Sequence, residues 1–464
     1  MSCNPARWLE TAAHRCPAAP ALSGEAGRLT FAELHRLTDG VAARLSLRHA
    51  SGAVVPLRLP TRWWTALYLH GVMRLGGIPF PLAPGLSGHE TAALLRQAGT
   101  APTAVEDGVC PLDPPSATRV TARPRSPDQV QLIVATSGSG GMPKGVMLSG
   151  ANLCAAVEAS SQRIPLGPGD RWLDCLPLQH IGGLSILYRC LAAGADAVLH
   201  EHFDAERIWR SLHGDGITHL SLVPAMLARL LEVAGDTPPP ATLRHLLVGG
   251  AMLAPALAER AAAWPLCVTY GMTETASQLA TDCANGAGCG QGQVGRPLPG
   301  FDVGIRRGRV AVRGPAVMAG YVNPAMRPGD GLRDGWFVTP DLGVLDAGGR
   351  LRILGRADRI LVSGGENVDP ARVERCLEAC TGVVQAGVTA VTDPVWGDRL
   401  VAFIVGPAST DAVGRWCRER LPASHRPRCI VSVPHLPRGA LGKLRRTRLR
   451  EWAEAHVSGV SGDG

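Results

Sequence analysis

The chain has 464 residues, of which 45% are hydrophobic and 19% charged; this excludes disorder, collagen and coiled coil as global descriptions, and the length exceeds the ~250–300 residues at which a single core stops growing. The formal net charge of +8 is compatible with nucleic acid, anionic membranes or phosphate-bearing small molecules. No block of five consecutive basic residues interleaved with aromatics occurs, and the densest stretch, Arg445 to Arg450, is short, so nucleic acid is not an expected partner.

The pattern from Pro5 to about Gln97 alternates helical stretches (Pro5 to Cys16, Phe31 to Leu47, Arg62 to Leu75) with short apolar strands (Val54 to Leu59, Ile78 to Leu82), which argues α/β. The N-terminus, with Arg7, Glu10 and Arg15, lacks the apolar core of a signal peptide, and no run reaches the ~18–20 apolar residues of a membrane span. A Pro- and Arg-rich passage from Pro111 to Gln129 reads as a linker, after which the apolar strand Val130 to Ala135 runs into a glycine-rich loop. Strands at Thr218 to Val223, His245 to Val248 and Leu266 to Tyr270 continue a layered sheet. From about Gly295 short strands punctuated by Gly, Pro and Asp (Val303 to Arg306, Val310 to Arg313, Trp336 to Thr339, Leu342 to Leu345, Leu351 to Leu354) form a β-rich subdomain. After Asp358 the order strand, helix (Ala371 to Cys380), strand, strand (Leu400 to Val405), helix (Thr410 to Glu419) gives a small α+β C-terminal domain.

The thirteen cysteines contain no C-x-x-C pair and read as buried thiols, which with the missing leader predicts a reducing, cytoplasmic location. Of the 47 basic residues, only Lys144 and Lys443 are lysines. A composition so biased toward arginine leaves lysine where a planar guanidinium cannot replace a compact ammonium, so both are candidate functional residues.

Lys144 closes the run Thr136-Ser137-Gly138-Ser139-Gly140-Gly141-Met142-Pro143-Lys144-Gly145. Glycines let backbone amides approach an anion, hydroxyls add donors and the lysine adds charge, a composition suited to a polyphosphate. It is not a Walker A loop, since Lys144 lies between Pro143 and Gly145 and a strand follows. A second motif is Tyr270-Gly271-Met272-Thr273-Glu274-Thr275.

These motifs resemble those of the acyl-adenylate-forming superfamily of acyl-CoA synthetases, carrier-protein adenylation domains and luciferases. The resemblance runs from Leu29-Thr30-Phe31 through Gly249-Gly250-Ala251 to the terminal lysine, with the motifs in the family's order; Gly140 and Pro340 depart from its usual hydroxyl residue and glycine. It implies a large layered α/β N-terminal domain with the β-rich subdomain (1–357) and a small α+β domain on a hinge (358–464). In the phosphate loop it assigns Thr136, Ser137, Gly138, Ser139, Gly141 and Lys144; it further implies Tyr270 and Gly271 near adenine, Thr273 near phosphate, and Glu274 as the magnesium ligand. Gly249, Gly250 and Ala251 join the nucleotide site, Asp341 accepts the ribose hydroxyls, Arg356 meets ribose or phosphate, and Asp358 is the hinge. Gly364-Gly365-Glu366-Asn367-Val368, leading into a helix with Glu374, resembles the loop that swings in for thioester formation, and Pro437 to Lys443 matches the terminal motif, making Lys443 the catalytic lysine.

The implied reaction is attack of a carboxylate on the α-phosphorus of ATP with loss of pyrophosphate, then attack of a thiol on the acyl-adenylate. ATP, Mg2+, coenzyme A and a carboxylic acid are the implied cofactor and substrates; a homodimer is compatible with this. The acid pocket is expected between Pro177 to Ser185, with His180 and Gly183, and the segment with Ser277 and Gln278. Leu178 to Leu187, Ser221 to Pro224 and Thr269 to Gln278 look most like the o-succinylbenzoate-CoA ligase group of menaquinone biosynthesis. Another acyl- or aryl-CoA ligase, or an enzyme loading a carrier protein, is the alternative. A non-catalytic nucleotide-binding relative would have damaged Lys443, Glu274 or Asp341, and all three are present.

Overall fold

A computed structural model of the protein describes residues 3–101, 106, 124–136, 143–283, 292–357, 361–363, 366–393, 397–439, 442 and 444–460. The chain forms two compact units, one of Met1–Arg306, Val310–Thr339 and Val344–Arg352, the other of Arg307–Arg309, Pro340–Gly343 and Ile353–Gly464.

The larger unit is built on an eight-stranded sheet in the spatial order Ser277–Asp282, Leu266–Met272, His245–Val248, His219–Leu222, Arg171–Asp174, Asp196–Leu199, Pro20–Gly24 and Gly27–Thr30. The pairings from Leu266–Met272 to Pro20–Gly24 are parallel, and the two outermost are antiparallel. Strands buried on both faces read as continuous apolar runs, and Asp196–Leu199 and His219–Leu222 are buried at every residue. From Arg171–Asp174 the chain moves to Asp196–Leu199 on one side and then to His219–Leu222 on the other. The order thus reverses there, and in an open parallel sheet the crevice outside the carboxyl ends at such a reversal is where ligands bind.

Local signals set the helix starts. Thr30 with Glu33 and Ser87 with Glu90 form reciprocal capping boxes opening the helices Phe31–Leu45 and Gly88–Gln97, each cap contributing about 1 kcal/mol. The Arg62–Leu75 helix ends at Gly76, whose φ of 81° is the left-handed stop that glycine adopts without strain. A second, three-stranded antiparallel sheet pairs Val130–Thr136 with Lys144–Ser149 and the latter with Gly320–Tyr321.

In the smaller unit, Gln385–Asp393 and Gly397–Val405 form an antiparallel pair whose alternation assigns one set of residues to each face. Val388, Ala390, Leu400, Ala402 and Ile404 pack with Val373 and Leu377 of the Pro370–Glu378 helix and Val413 and Cys417 of Thr410–Arg420. Val391, Val401 and Phe403 face the other way, onto Leu449 and Ala453 of the Arg446–Val460 helix. This last helix is not anticipated from the sequence, because Arg446, Arg448 and Arg450 mask its apolar spacing.

Two further expectations are corrected. Trp336 to Thr339 and Leu342 to Leu345 are one strand, Phe337–Leu345, running through Pro340. The cysteines are not all thiols: Cys3 is bonded to Cys154 and Cys267 to Cys283, while the other seven described are free. The pairs are 151 and 16 residues apart, separations that no local spacing rule connects. Among the described residues no helix is long and apolar enough to cross a membrane.

Candidate active site

Thr136 and Lys144 are opposite each other at the end of the Val130–Thr136 and Lys144–Ser149 ladder. Ser137, Gly138, Ser139 and Gly141, expected to cradle phosphate between them, lie outside the described residues. Gln97 braces the strand start: its amide nitrogen donates to the Pro143 carbonyl at 3.1 Å and its oxygen accepts from the Gly145 amide at 3.3 Å. Lys144 is exposed, and its ammonium sits 5.1 Å from the centre of the Tyr321 ring, within cation–π range.

Tyr321 also reaches the expected magnesium ligand, donating from its hydroxyl to Glu274 Oε1 at 2.9 Å. Glu274 is 8% exposed and lies in the short 3-10 turn Thr273–Thr275; its carbonyl accepts from the Met318 amide at 2.9 Å. A hard carboxylate oxygen that accepts from a tyrosine whose ring lies against an ammonium is chemically suited to a magnesium ion accompanying a polyphosphate. Thr273 is half-buried in the same turn and accepts from the Ala276 amide at 3.1 Å.

The turn is tightly specified. A Cβ on Gly271 would lie 1.6 Å from the Ser277 carbonyl oxygen, so only glycine fits where the strands Leu266–Met272 and Ser277–Asp282 meet. Ala276 and Ser277 have φ of 49° and 113°, an uncommon conformation for residues with side chains and one that clusters at functional sites. Tyr270, half-buried, and Gly271 stand near the carboxyl end of their strand; Gly249, Gly250 and Ala251 follow the carboxyl end of His245–Val248. Gly249 packs against Thr269, whose Cγ2 would be 2.5 Å from an added Cβ, and Gly250 has a φ of 79°.

The acid segment lies beyond the carboxyl end of Arg171–Asp174. His180 is half-buried and caps the helix Ile181–Ala193 through its backbone, and Gly183 lets that helix approach the Leu176 carbonyl, 2.6 Å from where a Cβ would be. Arg62 fastens the loop before the helix. Its guanidinium donates to the carbonyls of Asp174, Leu176 and His200 and pairs with Asp174 Oδ1 at 2.8 Å. Burial pushes the fully enclosed Asp174 carboxyl up to about 6, against the opposing pull of Arg62.

Ser277 faces this helix: its hydroxyl is 3.1 Å from that of Ser185, and the Arg189 guanidinium donates to it at 3.3 Å. Arg189 is 5% exposed, lies over the Trp172 ring at 5.5 Å, leaves Nε without a hydrogen-bond partner and has no carboxylate partner among the described residues. Burial lowers it to about 10. A buried, charged and incompletely paired arginine is costly, and an anion beside Ser277 would complete its pairing. Gln278, by contrast, is committed internally, accepting from Ser160 at 2.7 Å and donating to Thr281 at 2.9 Å.

In the smaller unit Asp341 is 9% exposed, and the Arg356 guanidinium is 3.9 Å from its Oδ1. Glu374 is structural, held by Arg446 at 2.6 and 2.8 Å and by the Val388 amide at 2.8 Å. Asp358 and Lys443 lie outside the described residues. The sequence motifs thus cover Lys144 and Glu274 but miss Tyr321, Gln97 and Arg189. Arginine excess hid Arg189; its position on an apolar helix after Gly182-Gly183 was the available signal.

Comparisons with known proteins identify the family. Residues 9–110 and 100–322 match the AMP-binding enzyme family, and residues 372–443 match the AMP-binding enzyme C-terminal domain. The chain is 32% identical to a 2-succinylbenzoate–CoA ligase of Bacillus mycoides, over 96% of this chain and 98% of the relative. It is 38% identical to the ligase of that name from Bacillus licheniformis over 69% and 70%. The o-succinylbenzoate CoA synthetase of Bacillus subtilis in complex with its acyl-adenylate intermediate superimposes with a TM-score of 0.87 at 31% identity, covering 96% of this chain and 98% of that one. ATP-bound MatB from Rhodopseudomonas palustris gives 0.86 at 26%, covering 97% and 99%. The chain therefore belongs to the AMP-binding enzyme family and is an AMP-forming acid–thiol ligase.

Proposed function

We propose that this ligase activates 2-succinylbenzoate as its acyl-adenylate and transfers the acyl group to coenzyme A, the menaquinone-pathway reaction. The observation that carries the substrate is Arg189. One carboxylate of the acid must be free to attack phosphorus, so a dicarboxylate leaves a second charge to be held, and a buried guanidinium beside Ser277 and Ser185 supplies the pairing. The similarity to ligases named for this acid supports the same reading.

In the first half-reaction the acid lies between the Ile181–Ala193 helix and the Ser277 turn. Its reacting carboxylate attacks the α-phosphorus, catalysed mainly by positioning and by charge stabilisation. Lys144 and the hydroxyls and amides following Thr136 hold the polyphosphate; Tyr270 and Gly249 to Ala251 border the base, with Thr273 toward the phosphates. Glu274, aimed by Tyr321, would hold Mg2+, which when bound offsets charge on the departing pyrophosphate. By the family resemblance, Asp341 and Arg356 take the ribose, Lys443 supplies the cation of adenylate formation, and Asp358 is the hinge of a mobile C-terminal domain.

Mass spectrometry of a reaction with ATP, Mg2+, CoA and 2-succinylbenzoate tests this. The monothioester with CoA, together with AMP and pyrophosphate, is the expected product set. Adenylate that accumulates without thioester overturns the choice of CoA as acceptor, and absence of any adenylate of this acid overturns the substrate.

A further inference from the structure

At the end of the Leu266–Met272 and Ser277–Asp282 hairpin opposite its turn, Val268 pairs with Asp282, which brings Cys267 and Cys283 face to face with Cα atoms 4.0 Å apart and their sulfurs bonded. The bridge spans 16 residues, and that span contains Tyr270, Gly271, Thr273, Glu274 and Ser277. His245, at the start of the neighbouring strand, has its Nδ1 3.6 Å from Cys267 Sγ, and the three side chains lie within 4.8 Å of one another. We propose that Cys267 and Cys283 are a reversible thiol–disulfide site, oxidised by a low-molecular-weight disulfide with His245 as proton acceptor, that staples the hairpin carrying the adenine, magnesium and acid contacts.

The roles follow from access. Cys283 is half-buried just after the strand Ser277–Asp282, whereas Cys267 is 1% exposed. Cys283, as thiolate, attacks the external disulfide RSSR, forming a Cys283–S–SR bond and releasing the first thiol, RSH. Cys267 then gives its proton to His245, and its thiolate attacks Cys283 Sγ; the mixed disulfide breaks, and the departing RS− takes up the proton. The protein dithiol loses two electrons and RSSR becomes two RSH. His245 is placed to accept that proton, with Nδ1 3.6 Å from the sulfur; burial and Arg244 lower its proton affinity, so the ring rests neutral with a nitrogen open to a proton. Its other face stacks on His219 at 5.1 Å, and His219 is itself bonded to the Pro165 carbonyl, which fixes the His245 ring beside the sulfur. Burial makes a thiol harder to ionise, so without the imidazole Cys267 would react slowly.

The test uses full-length protein, reduced and desalted, exposed to glutathione disulfide, quenched in acid, alkylated and mapped by mass spectrometry. A peptide bridged between Cys267 and Cys283 is expected, lost again in dithiothreitol and absent in Cys283→Ser. Cys267→Ser should stop at the glutathione adduct on Cys283, and His245→Gln should accumulate that adduct while slowing bridge formation several-fold. Because Cys3 and Cys154 also re-form their bond, the Tm readout uses a Cys3→Ser background, in which oxidation should raise Tm when Cys267 and Cys283 are both present and leave it unchanged when Cys283→Ser is added. The proposal is overturned if both cysteines remain alkylatable after oxidation, if His245→Gln forms the bridge at the wild-type rate, or if the reduced protein carries stoichiometric zinc that blocks oxidation, which would make the three residues a metal site.

Discussion

The Tyr321 hydroxyl donates to Glu274 Oε1 at 2.9 Å across 47 residues of sequence, while its ring lies beneath the Lys144 ammonium. One side chain thus joins the cation of the phosphate loop to the carboxylate expected to hold magnesium.

Tyr321→Phe keeps the ring and removes only the donor. A hydrogen bond to a charged group contributes ~1.5–3 kcal/mol, so the half-saturating Mg2+ concentration should rise about tenfold with kcat reduced. A magnesium titration of adenylate formation checks this, and an unchanged curve would show that Tyr321 does not aim Glu274.

Arg189→Met should raise KM for 2-succinylbenzoate by roughly 10–100-fold, the equivalent of ~1.5–3 kcal/mol for a charge-assisted contact, with little change in KM for ATP. Benzoate, which lacks the distal carboxylate, should lose little in the same variant. Equal losses for both acids would place Arg189 in the scaffold.

Gly271→Ala places a methyl group against a backbone oxygen that no side-chain rotation can move. Thermal and urea unfolding should show a loss on the order of 3 kcal/mol or more. A variant of native stability would show that the hairpin can open at this point.

Three buried histidines set an acid limit. Burial lowers His70, His200 and His219 to about 4. With folded values below the unfolded one, their stabilisation is fully present above about 6.5 and is lost as pH falls through 4, because the unfolded chain takes up protons first. Tm should therefore fall steeply between pH 6.5 and 4, and less steeply in His70→Asn; a flat profile would contradict the assignment of neutral buried histidines.

The parts legible in the sequence were those written locally. Thr136 to Gly145 and Tyr270 to Thr275 are contiguous, and the helix read at Phe31 to Leu47, found as Phe31–Leu45, lies in one stretch of chain. The rest depends on pairs distant in sequence. Arg189 gains its meaning from Ser277, 88 residues away, and Tyr321 gains its own from Glu274. Phe337–Leu345 runs through a proline that local rules read as a break, and the Arg446–Val460 helix hides its buried Leu449 and Ala453 among arginines.

The central claim is tested most directly by kcat/KM for ATP- and CoA-dependent AMP release with 2-succinylbenzoate beside benzoate, a medium-chain fatty acid and a set of amino acids, with Lys443→Ala as control. The account predicts that 2-succinylbenzoate exceeds every other acid by at least tenfold, ~1.4 kcal/mol of discrimination, and that the signal disappears in the variant. A higher value for any other acid, or wild-type rates in Lys443→Ala, would contradict it.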